Sequence, residues 1–220
     1  FSALVLGCGV CLAGSGKTSK TDGGMTVKSV KVDGYVGGRI DDCFQHRVME
    51  QNVDEIVEPF RHRAESWKWN SEFWGKWTLG AIGAYRYTGN PELYAKIAKS
   101  VDDIIATQTP DGYIGNYAPE HQTKKWDIWG QKYTMLGLLG WYELTGDRKA
   151  LDAAAGVADH LLSLVGPGKV DIVRTGDYRG MPSSTVLEPI MSLYSKTGER
   201  RYLDFASYIV AQWETPDGPQ

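Results

Sequence analysis

The amino-acid sequence predicts an all-α fold, a partial (α/α)6 toroid built of helical hairpins of about 50 residues. Two observations predict it, namely a repeated segment and an alternation between two kinds of helix. The repeat reads Tyr85-Arg-Tyr-Thr-Gly-Asn90, Tyr142-Glu-Leu-Thr-Gly-Asp147 and Tyr194-Ser-Lys-Thr-Gly-Glu199, and its copies start 57 and 52 residues apart. Such a period is typical of stacked supersecondary units.

Each copy of the repeat carries the signals of a helix that ends and another that begins. The glycine of each copy supplies a left-handed residue, the usual C-terminal stop of a helix. Asn90 and Asp147 are favourable N-cap residues, and Pro91 suits the first helical position. Each copy therefore predicts a tight turn between two antiparallel helices.

The helices on the two sides of each turn differ in character. Those after the turn have one apolar stripe and are predicted as outer helices, at Glu92 to Thr107, Arg148 to Leu164 and Arg200 to Trp213. Those before it are apolar nearly all round and are predicted as inner helices, at Phe73 to Tyr87 and Ile128 to Leu144. A leading helix is predicted from Asp42 to Arg63. Alternating inner and outer helices are typical of an α/α toroid.

The first 24 residues are predicted to be a truncated signal peptide with a flexible linker, and residues 25–220 the N-terminal half of an α/α-toroid domain that is incomplete at its C-terminus. Phe1 to Gly14 is apolar, and a polar, glycine-containing stretch follows it. The protein is therefore expected to be exported, to be periplasmic, outer-membrane-anchored or secreted, with Cys8 as a weak candidate for a lipid anchor. A run of about 14 residues is too short for a transmembrane span.

The overall charge points away from nucleic acid as a partner. The 220 residues carry a formal net charge of -3, which gives no basic footprint for nucleic acid or for an anionic membrane.

Tryptophan and tyrosine outnumber phenylalanine, with 8 and 12 residues against 5. Such rings either pack as amphipathic core residues or stack on sugar faces, and composition alone does not choose between the two.

Two long loops lead into the N-terminal ends of the inner helices. Thr109 to Lys125 is rich in Pro, Gly, Asn and Tyr, and Gly166 to Met181 is rich in Gly with one Pro and one Tyr. Long loops on one face of a compact fold usually carry function. Unpaired NH groups and positive potential at helix N-termini suit sugar hydroxyls and carboxylates, so the loops predict a binding site at that end.

The candidate substrate-binding residues lie in these loops and at the helix starts that follow them. Two tryptophan rings beside a loop are poor core material, which favours a binding role for Trp126 and Trp129. Asp127 suits either a binding role or the ordinary preference for an acid in a first helical turn. The full candidate set is Trp126, Asp127, Trp129, Lys132, Tyr133, Ser183, Tyr113, His121 and Arg179.

Glu188 and Asp127 are the two candidate catalytic acids in the chain. Glu188 stands beside Pro189 in an otherwise apolar helix, where a buried carboxylate needs a partner or a raised pKa. A structural role for Glu188 is the alternative. No His, Cys and Asp cluster has the spacing of metal ligands, so no metal site is predicted within this chain.

With these features in place, the chain resembles the β-L-arabinofuranosidase family of glycoside hydrolases, formerly a domain of unknown function. The resemblance runs in register from Trp67 to Trp213. The matching pieces are Ser71-Glu-Phe-Trp-Gly-Lys-Trp77, Gln108-Thr-Pro-Asp-Gly-Tyr-Ile-Gly-Asn-Tyr117, Trp141-Tyr-Glu-Leu-Thr-Gly146, Ala158-Asp-His-Leu161, Leu187-Glu-Pro-Ile-Met-Ser-Leu-Tyr-Ser-Lys-Thr-Gly198 and Arg201-Tyr-Leu-Asp-Phe-Ala206. Their shared order and spacing make the match specific although no single piece is decisive.

The resemblance implies the N-terminal half of an (α/α)6 catalytic domain that β-sandwich domains follow. It implies an enzyme that releases terminal sugars from oligo- or polysaccharides with retention of configuration. It further implies a Cys nucleophile held by a zinc ion and a Glu acid/base. These residues are expected beyond Gln220, so none is assigned here, and this chain alone is expected to be inactive.

Two positions depart from the pattern of the family. Tyr133 and Ser183 stand where the resemblance implies pocket-lining histidines, which leaves the sugar open. One alternative is an unsaturated uronyl hydrolase or polysaccharide lyase on a similar toroid, for which Asp127 with basic loop residues would serve. The other alternative is a toroid that binds glycans without catalysis.

Overall fold

Paired helices follow one another along the chain in the computed structural model, which describes residues 30–219. The helices are α1 (Gly34–Cys43), extended by a π-helical turn (Phe44–Met49), α2 (Val53–His62), α3 (Glu72–Thr88), α4 (Pro91–Ile105), α5 (Asp127–Thr145), α6 (Arg148–Leu164), α7 (Met181–Ser184), α8 (Leu187–Thr197) and α9 (Arg200–Trp213). Over the same residues, β pairing is confined to two isolated bridges. The all-α prediction is confirmed.

The repeated Thr-Gly segments build the same turn three times. Thr88, Thr145 and Thr197 each donate a hydroxyl hydrogen bond of 2.8 Å to the carbonyl four residues earlier. Each hydroxyl also accepts the backbone N–H two residues later, at 3.2, 3.1 and 3.2 Å. The glycine that follows has a φ of 64, 76 or 72°, which only glycine adopts without strain. One hydroxyl therefore links the end of each first helix to the start of the second.

The N-cap of α4 gives a direct test of this turn chemistry. The Asn90 side chain accepts the backbone N–H of Leu93 at 2.9 Å, whereas Glu199 begins α9 without such a bond. Asn90→Ala is expected to lower the free energy of unfolding by about 1 kcal/mol, measured by urea denaturation. Glu199→Ala is the matched control, and an equal loss in both variants would contradict the capping role.

The hairpins stack so that two layers form. α3, α5 and α8 pack side by side as the inner layer, and α4 and α6 contact each other in the outer layer. The contact between α3 and α5 depends on glycine, because a Cβ atom at Gly75 would lie 2.1 Å from the Tyr133 backbone oxygen. α5 is buried on nearly all sides, as predicted, while α3 leaves Phe73 and Leu79 exposed.

The prediction of one continuous leading helix from Asp42 to Arg63 is wrong, because the helix is interrupted. The chain leaves the helix at Glu50 and starts α2 at Val53. Side chains from the next hairpin satisfy the carbonyl groups at the break. Trp77 Nε1 donates to the Val48 oxygen at 3.2 Å, and Lys96 Nζ donates to the Met49 oxygen at 2.5 Å. These long-range donors replace the hydrogen bonds that a continuous helix would make.

The third inner helix is also divided, into α7 and α8, at Thr185 and Val186. Pro189 explains the division. It has no N–H to donate, and its ring would clash with the Thr185 carbonyl in a continuous helix.

The predictions for residues 1–24, including an anchor at Cys8, lie outside the described residues. None of the helices between residues 30 and 219 combines the length and the apolar character that crossing a bilayer requires.

Candidate functional site

Three loops meet at the N-terminal ends of the inner helices, at residues 63–71, 106–126 and 165–180. Backbone hydrogen bonds join the first two, from Glu65 N to Asn116 O at 3.0 Å and from Ala118 N to Glu65 O at 3.0 Å. The Gly176 N–H joins the third loop to the second by donating to the Thr123 oxygen at 3.1 Å. The loops therefore form one continuous surface.

Five aromatic rings from this surface and from α5 contact one another in a chain. Trp126 lies at the centre, with ring centroids 6.3 Å from Trp69, 6.0 Å from Trp129 and 6.4 Å from Tyr178. Trp129 in turn lies 5.1 Å from Tyr133. Trp69 and Tyr178 are exposed, and the other three rings are partly buried. We call this set, Trp69, Trp126, Trp129, Tyr133 and Tyr178, the aromatic platform.

Charged side chains surround one end of the aromatic platform. Lys76 Nζ and Lys132 Nζ both lie over the rings of Trp129 and Tyr133, at 4.8 to 5.7 Å from the centroids. Glu72 accepts the indole N–H of Trp129 and lies 2.8 Å from Lys76 Nζ. The Glu72 carboxylate thereby fixes the orientation of the Trp129 ring.

Asp127 lies beneath the aromatic platform and not at its surface. It is 1% exposed, and its carboxylate accepts hydrogen bonds from Tyr113 Oη at 2.6 Å, Thr123 N at 2.8 Å and Gln131 Nε2 at 3.0 Å. Burial raises the pKa of Asp127 to about 6, although these three donors act to lower it. Asp127 holds the second loop against α5, which corrects its expected role as an exposed substrate contact, while its role as a catalytic acid stays a prediction.

Tyr113 is likewise an internal residue. Its side chain is fully buried, and its ring packs at 5.1 Å against the imidazole of His160. The Tyr113 hydroxyl also accepts the backbone N–H of Tyr117 at 3.1 Å. Burial is the main cause that raises the pKa of Tyr113 well above its usual value, and the neighbouring negative charge of Asp127 raises it further. Tyr113 therefore supports the loop, and the expectation that it contacts substrate is corrected.

His160 anchors the same loop from the outer helix α6. It is 5% exposed, and its Nδ1 lies 3.2 Å from Asp111 Oδ2 in the loop. Burial lowers the pKa of His160, while the Asp111 charge acts in the opposite direction.

Glu188 does not occupy the buried position predicted for it. Its side chain is 64% exposed, and Oε2 lies 3.4 Å from Lys132 Nζ. The prediction failed because the break between α7 and α8 turns this first-turn residue towards solvent. Glu188 is thus a rim residue beside the aromatic platform.

The remaining candidates are dispersed around the loops. Ser183 is 1% exposed, which corrects its expected contact with substrate, and its hydroxyl has no hydrogen-bond partner among the residues described. Arg179 is exposed in a left-handed conformation, with φ 55°, and donates to the Gly218 oxygen at 3.2 Å. His121 is partly buried in the short 3-10 turn Pro119–His121.

Sequence reasoning missed Trp69, Glu72 and Lys76 as members of this site. The internal repeat could have indicated the position of Trp69, because Trp69, Trp126 and Tyr178 each precede an inner helix by one to three residues. Glu72 and Lys76 then occupy the first turns of α3, next to α5.

Comparison with known proteins decides which family this site belongs to. A sequence model described as β-L-arabinofuranosidase, GH127 catalytic domain, matches residues 21–215. The chain belongs to the GH127 family. A non-reducing end β-L-arabinofuranosidase of Bifidobacterium longum is 28% identical over 152 residues, a match that covers 61% of this chain and 22% of that protein.

Solved structures of the GH127 family share the fold. A β-L-arabinofuranosidase from Geobacillus stearothermophilus T6 matches with a TM-score of 0.62 and 19% identity, over 86% of this chain and 33% of that one. The GH127 β-arabinofuranosidase BT3674 matches with a TM-score of 0.62 and 20% identity, over 86% of this chain and 34% of that one. The chain thus spans about a third or less of the length of these GH127 proteins.

The GH127 resemblance implies a zinc ion, which needs at least three converging protein ligands. Within residues 30–219, no three His, Cys, Asp or Glu side chains converge as a set of metal ligands. The described residues therefore do not fit a zinc site.

Proposed function

We propose that this chain supplies one wall of the sugar site of a glycoside hydrolase that releases terminal sugars from oligo- or polysaccharides. The aromatic platform, at the helix N-termini of a GH127 chain, is the observation that supports the proposal. Tryptophan and tyrosine rings stack on the C–H faces of sugars. Partly exposed rings beside polar groups are typical of small-molecule sites, in which few polar contacts fix the orientation of the ligand.

The fixed orientation of Trp129 strengthens this proposal. Its indole N–H is bound by Glu72 and its ring is flanked by two ammonium groups, so little rotamer freedom remains to be lost on binding. A rigid aromatic surface of this kind favours stacking with a flat sugar face.

The uronyl hydrolase or lyase alternative relied on Asp127 as an inner-helix acid. Asp127 is buried, and its carboxylate already accepts hydrogen bonds from Tyr113, Thr123 and Gln131, so it is not exposed to substrate as that alternative requires. A glycan-binding toroid without catalysis is separated from the proposal by the assay that follows.

The test is hydrolysis of a panel of nitrophenyl glycosides by the protein made from the complete reading frame. Release from an arabinofuranoside or from another terminal sugar is the expected result. Binding of glycans without release from any substrate would replace the proposal by the non-catalytic alternative. A zinc content of about one per chain in the same protein would support the metal that the family resemblance implies.

Trp126→Ala tests the aromatic platform within the active protein. Loss of the central ring is expected to raise KM about tenfold, the effect of about 1.4 kcal/mol of lost stacking. Tyr94→Ala is the matched control, because Tyr94 sits in a separate aromatic cluster with Tyr85 and Trp141. A KM that changes equally in both variants, with melting temperatures matched, would argue against the platform as the sugar site.

We also propose that the protein is exported, on the strength of the apolar run Phe1 to Gly14. Fractionation of cells that express the complete gene tests this proposal. Labelling with palmitate that disappears in Cys8→Ser would support a lipid anchor, and labelling that persists would exclude Cys8.

A further inference from the structure

Lys132 is an unusually placed lysine beside the aromatic platform. Only 11% of its side chain is exposed, and its Nζ lies 5.2 Å from the Trp129 ring centroid and 5.1 Å from that of Tyr133. Its one carboxylate neighbour in the described part of the chain is Glu188, at 3.4 Å. Lys96 differs, because its Nζ donates to the Met49 oxygen at 2.5 Å.

The physical chemistry of this ammonium group calls for a further acceptor. A lysine has three N–H donors and no acceptor, and burying its charge without hydrogen bonds is costly. The two aromatic faces compensate only in part. Glu188 is 64% exposed, so solvent screens its attraction for Lys132 and its side chain is free to turn away.

A second cation lies on the same rings. Lys76 Nζ is 4.8 Å from the Tyr133 centroid and 5.7 Å from that of Trp129, with Glu72 as its own partner. Because Glu72 neutralises Lys76, Lys132 is the group left to bind an anion arriving at the platform.

We propose that the aromatic platform binds a sugar that carries a carboxylate, with Lys132 binding the carboxylate and the rings of Trp129 and Tyr133 packing against the sugar. The substrate class is therefore an acidic glycan with uronic-acid-type residues. This inference rests on the proposed function, since it names the sugar of the same site. A neutral hydroxyl would satisfy the donors but not the charge, which favours the carboxylate.

The experiment compares ligands that differ only in their carboxyl groups. Oligogalacturonides and glucuronic-acid-bearing oligosaccharides are titrated calorimetrically into the protein, each beside its carboxyl-reduced form. The native forms are expected to bind about tenfold more tightly at low salt, because a hydrogen bond to a charged group contributes about that factor. The ratio is expected to fall as salt is added.

Three lysine variants assign the preference to one side chain. Lys132→Met is expected to bring the ratio of affinities close to one, while Lys132→Arg, which keeps the charge, retains a preference. Lys96→Met is the control for loss of a partly buried lysine elsewhere and should leave the ratio unchanged. Thermal unfolding of each variant confirms that the binding measured belongs to folded protein.

The outcomes separate this inference from the proposed function. Equal affinity for native and reduced ligands, or tighter binding of a sulfated neutral oligosaccharide, overturns the carboxylate inference. Hydrolysis of nitrophenyl glycosides in the same preparation would still support the proposed function. Absence of both binding and hydrolysis would overturn the two together.

Discussion

Gly75→Ala is expected to lower the free energy of unfolding by about 3 kcal/mol, because the new methyl group has no space between α3 and α5. Its Cβ would lie 2.1 Å from the backbone oxygen of Tyr133 and 2.8 Å from the Tyr133 Cβ. Backbone cannot rotate away as a side-chain end can, so the two helices must separate. Urea denaturation followed by circular dichroism measures the loss.

The same helix provides the control for this substitution. Gly80 and Gly83 are exposed on α3, and a Cβ at either position meets nothing within 4 Å. Alanine at either position is expected to stabilise the protein by about 0.5 to 1 kcal/mol, because helix propensity rises without a clash. If Gly75→Ala also proved neutral or stabilising, the close packing of α3 on α5 would be refuted.

The second large effect is the pH dependence of stability that Asp127 imposes. Its pKa of about 6 in the folded protein exceeds the value of 3.8 for a free side chain. The folded state therefore holds the proton more tightly between these values. Stability from this group is fully present below about pH 4 and is lost as pH rises through 6, by about 3 kcal/mol in total.

Asp127→Asn isolates this contribution. The asparagine does not ionise, so the stability advantage of the natural protein over the variant should shrink between pH 4 and pH 7. His160 acts in the opposite sense, because its lowered pKa adds stability as pH rises towards 6.5, but it is common to both proteins. Chemical denaturation at several pH values measures the difference, and a gap that is constant or grows with pH would contradict the buried carboxylate.

Tyr113→Phe extends the same test. The Tyr113 hydroxyl donates to Asp127 at 2.6 Å and acts to lower the pKa of that carboxyl. Removing it should steepen the loss of stability with rising pH, relative to the natural protein.

The helices could be predicted from sequence because their signals are local. The Thr-Gly turn, the N-cap residues and the apolar spacing place α6 and α9 at their observed ends and α3, α4 and α5 within two residues of theirs. The break between the π-helical turn and α2, which the sequence did not indicate, depends on distant donors. Trp77 and Lys96 reach the carbonyls of Val48 and Met49 from another hairpin, which no local pattern shows.

The site was predictable in place but not in the roles of individual residues. The loops do converge on the ends of the inner helices, and Trp126 and Trp129 do lie side by side. Whether a polar residue there faces solvent depends on how the neighbouring loops and helices pack around it. Tyr113 lies 14 residues from Asp127 and covers it, while the break before α8 exposes Glu188.

The hydrogen bonds between the three loops have a consequence for how this surface diversifies. The first loop is paired with the second at Glu65 and Asn116, and the second is tied to the third at Thr123 and Gly176. The three loops therefore form one hydrogen-bonded unit and do not move as three independent loops. An insertion in one loop would be transmitted to its neighbours, so new specificities are more accessible by exchanging platform side chains than by grafting whole loops.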